Sequence, residues 1–585
     1  MTATPEGRPS DLRLLGRLAP WVRPHRRLLF AAAAMLPVMA ASAMAQPWLL
    51  GVAVDEYMHA GRTDGLWPLA SVYLVLVVAE YLATAFHGWL LSLAGARVIA
   101  ALRISVLEHI LAQGHAFHDR RAAGVLLSRT TSDVEAIGES FVTGVISIVA
   151  DVVRLLGIVA IMLVLSPHLT LASFAALPAF WLVVNFFRRR VRDTGLAIRA
   201  VVAKMNGFMS EHLAGVEVVQ LFGREEAAAR EFQDVAKGAL QIFHRNNVYD
   251  AALYAVMDGL GGVAVGLLVW YASGDVLAGL ATPGLVVSFV DYVQRALVPI
   301  KEFSAKYATL QHSFAGMDRV FGLLDTHEAV PEGDLLLAHP RGEVLFDDVR
   351  FAYSVTHPVL AGVTLRAAPG EVVAIVGSSG SGKSTLCRLL TRGYTGHTGT
   401  ISVDGVPVES LQRRELARIV ATVPQDVVLL RGSIRFNVTL GDPAITDDAI
   451  WQALGEVQAA EFVQALGGLD AQLGERGAGL SAGQGQLLTF ARALARRPAV
   501  VVLDEATASV DPGTESLIQD ALASVFRGRT VLVVAHRLST IRAADRIVVL
   551  EAGRVVEEGS HDRLLNAGGR YAELLAAAKS LSTAA

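Results

Sequence analysis

The chain has 585 residues, 53% hydrophobic and only 18% charged, with a mean hydropathy of +0.45. Soluble domains are about 45–50% apolar and about 25% charged, so a wholly soluble chain is excluded, as is a single domain of about 100–200 residues. The net charge of −4 excludes the global basic field of a nucleic-acid binder, and the single cysteine, Cys387, excludes intramolecular disulfides and multi-cysteine metal sites.

In chain order, residues 1–27 read as a cytosolic lead-in carrying Arg8, Arg13, Arg17, Arg23, Arg26 and Arg27. The apolar run that follows is too long for a signal-peptide core and has no clear cleavage site. Six apolar stretches match the roughly 20 residues that cross about 30 Å of hydrocarbon. They are Leu28–Val54, Leu66–Leu93, Phe141–Leu165, Leu169–Phe187, Ala251–Gly274 and Val276–Ile300, within a membrane domain spanning 28–325. Tight turns make hairpins of the third with the fourth and of the fifth with the sixth.

The long polar segments after the second and fourth stretches are helical in period and basic. Arg97, Arg103, Arg120, Arg121 and Arg129 lie in one, and Arg188, Arg189, Arg190, Arg192, Arg199, Lys204 and Arg224 in the other. The longest of the opposite loops holds Asp55, Glu56 and Asp64 against Arg62. The positive-inside rule therefore places both termini and both long segments in the cytoplasm, in a multi-pass protein of the cell's inner (plasma) membrane. Within the stretches, Asp151 and Arg154 are spaced to neutralise one another. Asp258 and Asp291 have no obvious sequence partner and are candidate substrate-pathway residues, the alternatives being a pair with Arg295 or a place near an interface.

Residues 326–342, with Pro331, Gly333 and Pro340, form a linker. From 343 to 585, short β-branched runs between glycine turns alternate with helical segments, which predicts an α/β domain with a mostly parallel sheet. Its most informative run is VAIVGSSGSGKSTL. Gly377, Ser378, Ser379, Gly380, Ser381, Gly382, Lys383, Ser384 and Thr385 complete a phosphate loop, whose backbone N–H groups and following helix face an anion. Lys383 is expected to reach the β and γ phosphates of ATP, and Ser384 to ligate Mg²⁺. Cys387, one turn into that helix, reads as a buried inert thiol.

Downstream, the apolar run 499–503 ends in Asp504 and Glu505. A carboxylate at a strand tip beside a phosphate loop organises Mg²⁺, which assigns Asp504, and Glu505 is then placed to polarise the attacking water. His536, ending VLVVAH, is positioned to meet the γ phosphate and to orient Glu505.

LSAGQGQLLTFARAL, Leu480–Leu494, resembles the signature motif of ABC-transporter ATPases. With the spans before it, nearly the whole chain resembles an exporter-type half-transporter: an all-α six-helix transmembrane domain with long cytosolic extensions, then an α/β P-loop ATPase. The resemblance implies that Tyr353 stacks on adenine and that Gln425 meets Mg²⁺ and couples nucleotide to the membrane helices. It also implies that Ser509, Val510 and Asp511 cross a dimer interface, and that Glu475, Arg476 and Gly477 touch the cytosolic ends of the membrane helices. Ser481, Gly483 and Gln484 would face ATP held by a second half-transporter subunit. The loops Phe117–Ile137 and Met209–Gly215 would carry short helices docking near Gln425.

Two positions depart from the family's LSGGQR: Ala482 replaces its first glycine and Gly485 its arginine. Such departures favour a heterodimer with an unlike half over a homodimer. The solute expected is small and amphipathic (a drug, lipid or peptide) and is moved outward by alternating access. The alternatives are a metal-chelate importer on the exporter fold, a homodimeric lipid flippase, or a nontransporting regulator.

Overall fold

A computed structural model describes residues 11–583 apart from 60, 140–143, 145, 176, 280, 355–356, 505–511 and 536. The chain divides into two compact units: Met1–Leu111 with Ala123–Thr326, and Ala112–Ala122 with His327–Ala585.

The first unit is helical. Its long helices are α1 (Arg26–Val52), α2 (Leu66–Ala112, whose last residue falls in the second unit), α3 (Ser147–Leu165), α4 (Leu177–Ala214), α5 (Glu225–Leu277) and α6 (Pro283–Leu324). Among the described residues, five helices have the length and apolarity to cross a membrane: Ala19–Met58, Leu66–Ala112, Ser147–Leu165, Pro167–Ala214 and Glu225–Leu277. The sixth expected stretch falls mostly in α6, and its first residues, Val276 and Leu277, complete α5. The break is chemical: Thr282 caps α6 by accepting from Leu285 N at 3.2 Å, and Pro283 fixes its first turn. At 1.5 Å per residue the 53 residues of α5 reach about 80 Å, far beyond a hydrocarbon core of about 30 Å.

The lead-in folds onto the end of α6. Leu14 and Leu18 are buried, and the Arg17 guanidinium donates to Asp325 at 2.9 Å while lying 4.5 Å over the Phe321 ring. Backbones of α1 and α6 touch at two glycines: a Cβ on Gly284 would stand 2.1 Å from Gly51 O. Beside them Asp55 accepts from Gly284 N at 2.7 Å.

Asp151 and Arg154 pair with other helices rather than with each other, whereas Asp291 takes Arg295, one of the alternatives the sequence left open. Asp151 takes Lys306 of α6, and Arg154 donates to Glu80 of α2 at 3.1 Å. Asp291 accepts from Arg295 one turn away at 3.1 Å. Arg295 also donates to Gln46 of α1 at 2.8 Å, and Gln46 donates to Glu80 at 2.8 Å. Four helices therefore share one polar network, as charges within membrane segments pair with one another rather than face lipid alone.

The second unit carries two main sheets. A four-stranded antiparallel sheet joins β2 (His357–Ala367), β1 (Val344–Ser354), β4 (Thr398–Val403) and the short strand Val406–Pro407. A six-stranded sheet is built from β3 (Val372–Val376), β5 (Val420–Val423), β6 (Val500–Asp504), β7 (Thr530–Val534), β8 (Arg546–Glu551) and β9 (Arg554–Gly559). Its spatial order is β9-β8-β3-β7-β6-β5, parallel except for β8 against β9. β3, β7 and the first four residues of β6 are buried throughout, as β-branched runs covered on both faces must be.

Candidate functional site

Parallel strands bring their carboxyl ends to one edge, where ligands of open α/β sheets bind. Val534 of β7 pairs with Ile375 of β3 on one side and Asp504 of β6 on the other, so the loop after β3 and the tip of β6 flank the same strand end. The loop Gly377–Gly382 leads from β3 into helix α7 (Lys383–Leu390). Two glycines are obligatory for its path. A Cβ on Gly377 would lie 2.2 Å from Leu550 O; one on Gly382, where φ is +104°, would lie 2.6 Å from the Leu360 side chain.

The cradle's floor is buried and its rim open. Ser381, Gly382 and Lys383 are buried, whereas Ser378, Ser379 and Gly380 are exposed. Lys383 donates to the carbonyls of Gly377 and Ser378, each at 2.9 Å, and Ser381 Oγ is buried with no hydrogen-bond partner among the described residues. Ser384 Oγ donates to Asp504 Oδ1 at 2.9 Å, so two of the three residues expected to hold Mg²⁺ are adjacent across 120 positions of chain. A buried ammonium, an unsatisfied hydroxyl and a hydroxyl–carboxylate pair fit a phosphate with its metal. Gln425 is exposed in the loop after β5. Glu505, the segment Ser509–Asp511 and His536 lie outside the described residues.

Tyr353, near the end of β1, is 47% exposed and its hydroxyl meets Thr385 Oγ1 at 3.0 Å. Ser481 caps helix α8 (Ala482–Leu494): its side chain accepts from Gln484 N at 3.2 Å, while Gln484 Oε1 accepts from Ser481 N at 3.0 Å. This reciprocal box leaves Ser481 and Ala482 exposed at a helix N-terminus, with Gly483 buried behind them.

The ABC transporter transmembrane region family matches residues 29–298 and the ABC transporter family residues 360–508. The ATP-dependent lipid A-core flippase of Thiobacillus denitrificans is 33% identical, over 97% of this chain and 98% of its own length. The chain belongs to the ABC transporters. An uncharacterized ABC transporter ATP-binding protein of Bacillus subtilis, YknV, is 34% identical over 97% of this chain and 95% of its own length. A bacterial Atm1-family ABC exporter solved with ATP bound superposes with a TM-score of 0.77 at 27% identity, covering 94% of this chain and 98% of that one.

As an exporter-type half-transporter, the protein is a multi-pass membrane ATPase that couples ATP to transport, and ABC exporters of this type function as dimers. Its signature departs from the family where space is short. Gly485 is buried, and a Cβ there would stand 3.2 Å from Val427 and 3.5 Å from Leu429. An arginine would have to push this loop aside. Arg492, seven residues on along the same helix face, braces that region instead, donating to Asn437 O at 2.7 Å and Val428 O at 2.9 Å. Burial lowers its pKa from the ordinary arginine value.

Sequence reading did not single out Arg492, but it did expect the loop Phe117–Ile137 to dock on the ATPase domain, and the start of that loop lies in the ATPase unit. The short helix His115–Asp119 belongs to that unit. Its named contacts are with residues 328 and 388–394 rather than with Gln425: Gly114 N donates to Glu328 O at 3.1 Å, and Tyr394 donates to Asp119.

Cys387 is 3% exposed and burial pushes its thiol well above the ordinary value. A thiolate is the reactive form. Iodoacetamide should therefore leave the native protein unlabelled and modify it only after denaturation, as read by intact mass; labelling of the folded chain at neutral pH would contradict an inert buried thiol.

Proposed function

We propose that this chain is one half of an ATP-driven exporter that moves a small amphipathic solute out of the cytoplasm, working with a second half-transporter that is unlike it. The observation that carries the ATP-driven part is the Ser384–Asp504 pair at the mouth of a complete phosphate loop, in a chain whose described residues include five helices of membrane-crossing length. In this reading residues 28–325 form the membrane domain, 326–342 the linker and 343–585 the ATPase domain, and both termini are cytoplasmic in the inner membrane.

Lys383 exchanges two neutral carbonyls for the β and γ phosphate oxygens, a trade favoured because hydrogen bonds between charged groups are about twice as strong as neutral ones. The loop backbone from Gly377 to Thr385 supplies further donors. Mg²⁺, held by Ser384, Asp504 and Gln425, neutralises phosphate charge when bound. Glu505 polarises water, His536 keeps Glu505 oriented, and Tyr353 supports the adenine. Ser481, Gly483 and Gln484 present the α8 N-terminus to ATP on the partner subunit, so one chain alone lacks half of each site.

The unlike partner is supported by Ala482 and Gly485, the latter tightly enclosed by Val427 and Leu429. A homodimeric lipid flippase is the second reading, favoured by the 33% identity to the lipid A-core flippase over nearly its whole length. Inside-out vesicles carrying the chain, alone or with a second half, decide between them using a fluorescent phospholipid and a lipophilic cationic dye. ATP-dependent uptake only when both halves are present is the expected result. Full transport by the chain alone removes the unlike partner, and ATP-dependent loss from the vesicles removes export.

A further inference from the structure

Between the ring expected to carry adenine and the helix His115–Asp119 runs an unbroken set of side-chain contacts. Tyr353 is held on three sides: its hydroxyl meets Thr385 Oγ1 at 3.0 Å, and the rings of Phe351 and Tyr394 meet it edge-on with centroids at 5.0 and 4.9 Å. Tyr394 is in turn fixed from outside, because its hydroxyl donates to Asp119. Burial and that hydrogen bond raise its pKa to about 12, so it remains a donor at any physiological pH. Arg388 Nη1 lies 3.8 Å from the same carboxylate.

The small helix that presents Asp119 is itself tightly anchored. Phe117 is fully buried under Arg121, whose guanidinium is 4.2 Å from its ring. Glu328 receives Arg120 and lies 3.7 Å from Arg121, while its backbone N–H donates to Gln113 at 2.7 Å. Gly393 leaves room for the approach, since a Cβ there would stand 3.3 Å from His115 Nδ1. The chain on either side of this helix belongs to the other compact unit.

We infer that Asp119 is a positioning residue for nucleotide: through Tyr394, and with Arg388, it fixes the attitude of Tyr353, so the helix His115–Asp119 is tied to occupancy of the base platform. Edge-on aromatic packing is directional, and a ring hydrogen-bonded to a rigid carboxylate cannot tilt without breaking that bond. A base stacking on the open face of Tyr353 therefore meets a surface whose orientation Asp119 has set.

The inference rests on the reading of Tyr353 as the adenine platform, and the test separates the two. Calorimetric binding of ATP and of inorganic tripolyphosphate, which lacks a base, is measured on the full-length protein in detergent without divalent metal. Tyr353→Ala should weaken ATP and spare tripolyphosphate; if it does not, the platform reading itself fails. With that result in hand, Asp119→Ala and Tyr394→Phe should each weaken ATP about fivefold, the scale of one lost hydrogen bond, and leave tripolyphosphate unchanged. The double variant should be no weaker than either single one. Unchanged ATP affinity in both single variants, or equal losses for both ligands, overturns the positioning role. If Asp119→Ala does not fold, Tyr394→Phe, which deletes only a hydroxyl, decides alone.

Discussion

Lys383→Ala is expected to lower ATP turnover by about 100-fold or more, the scale seen when a single preorganised donor to developing charge is removed. The side chain is 6% exposed, and its ammonium is turned onto the carbonyls of Gly377 and Ser378 at 2.9 Å each. Alanine thus removes both the charge that would meet phosphate and the clasp that Lys383 forms on its own loop. The two roles separate experimentally. If phosphate recognition dominates, the variant keeps its thermal midpoint, loses turnover and gains no stability from added ATP. If the midpoint falls in step with the rate, Lys383 is chiefly a brace for its own loop and the phosphate role is withdrawn.

The second large effect is expected in the helical unit. Glu80, with 16% of its side chain exposed, faces Arg154 at 3.1 Å and Arg295 at 3.7 Å and accepts from Gln46. Removing one member of a buried pair leaves its partners charged and unmatched, which costs about 3–5 kcal/mol, whereas replacing both partners by apolar residues of similar volume is often neutral. Glu80→Ala should therefore lower the unfolding midpoint of the full chain in detergent by many degrees. Adding Arg154→Met should recover part of the loss, while Arg295 is kept because it also pairs with Asp291 at 3.1 Å. A Glu80→Ala variant as stable as the parent would show that the arginines find other partners or water, and the network would then have no structural weight.

The phosphate loop was legible because its chemistry is local. GSSGSGKST needs only a strand before it and a helix after it, and both form from short-range pattern: five β-branched or apolar residues buried on both faces, then a helix opened by a left-handed glycine. Asp504 was legible for the same reason, as the polar tip of an apolar strand. The Ser481–Gln484 box is likewise a matter of spacing along one helix turn. The long helices follow from hydrophobic length, although a count by length missed where α5 ends, because Thr282 and Pro283 decide it by capping.

What spacing cannot reveal is which distant side chains meet. Asp151 and Arg154 sit three apart on one helix, close enough in sequence to suggest mutual neutralisation. Yet their partners are Lys306 and Glu80, because side chains that leave the same helix toward different neighbours bind whatever those neighbours present. Nothing in the sequence marked Arg492; only the fold brings it to Val428 and Asn437.

By itself the sequence determined the family, the apolar lengths, and the residues of the phosphate loop, since each depends on neighbours within a few positions. Only the tertiary structure decided that Ser384 meets Asp504 across 120 residues, that Gly485 leaves little room for a side chain, and that Asp119 reaches Tyr394 across 275. Hydrogen bonds and ion pairs act over a few ångströms of space, and folding rather than chain order settles which groups come within that range.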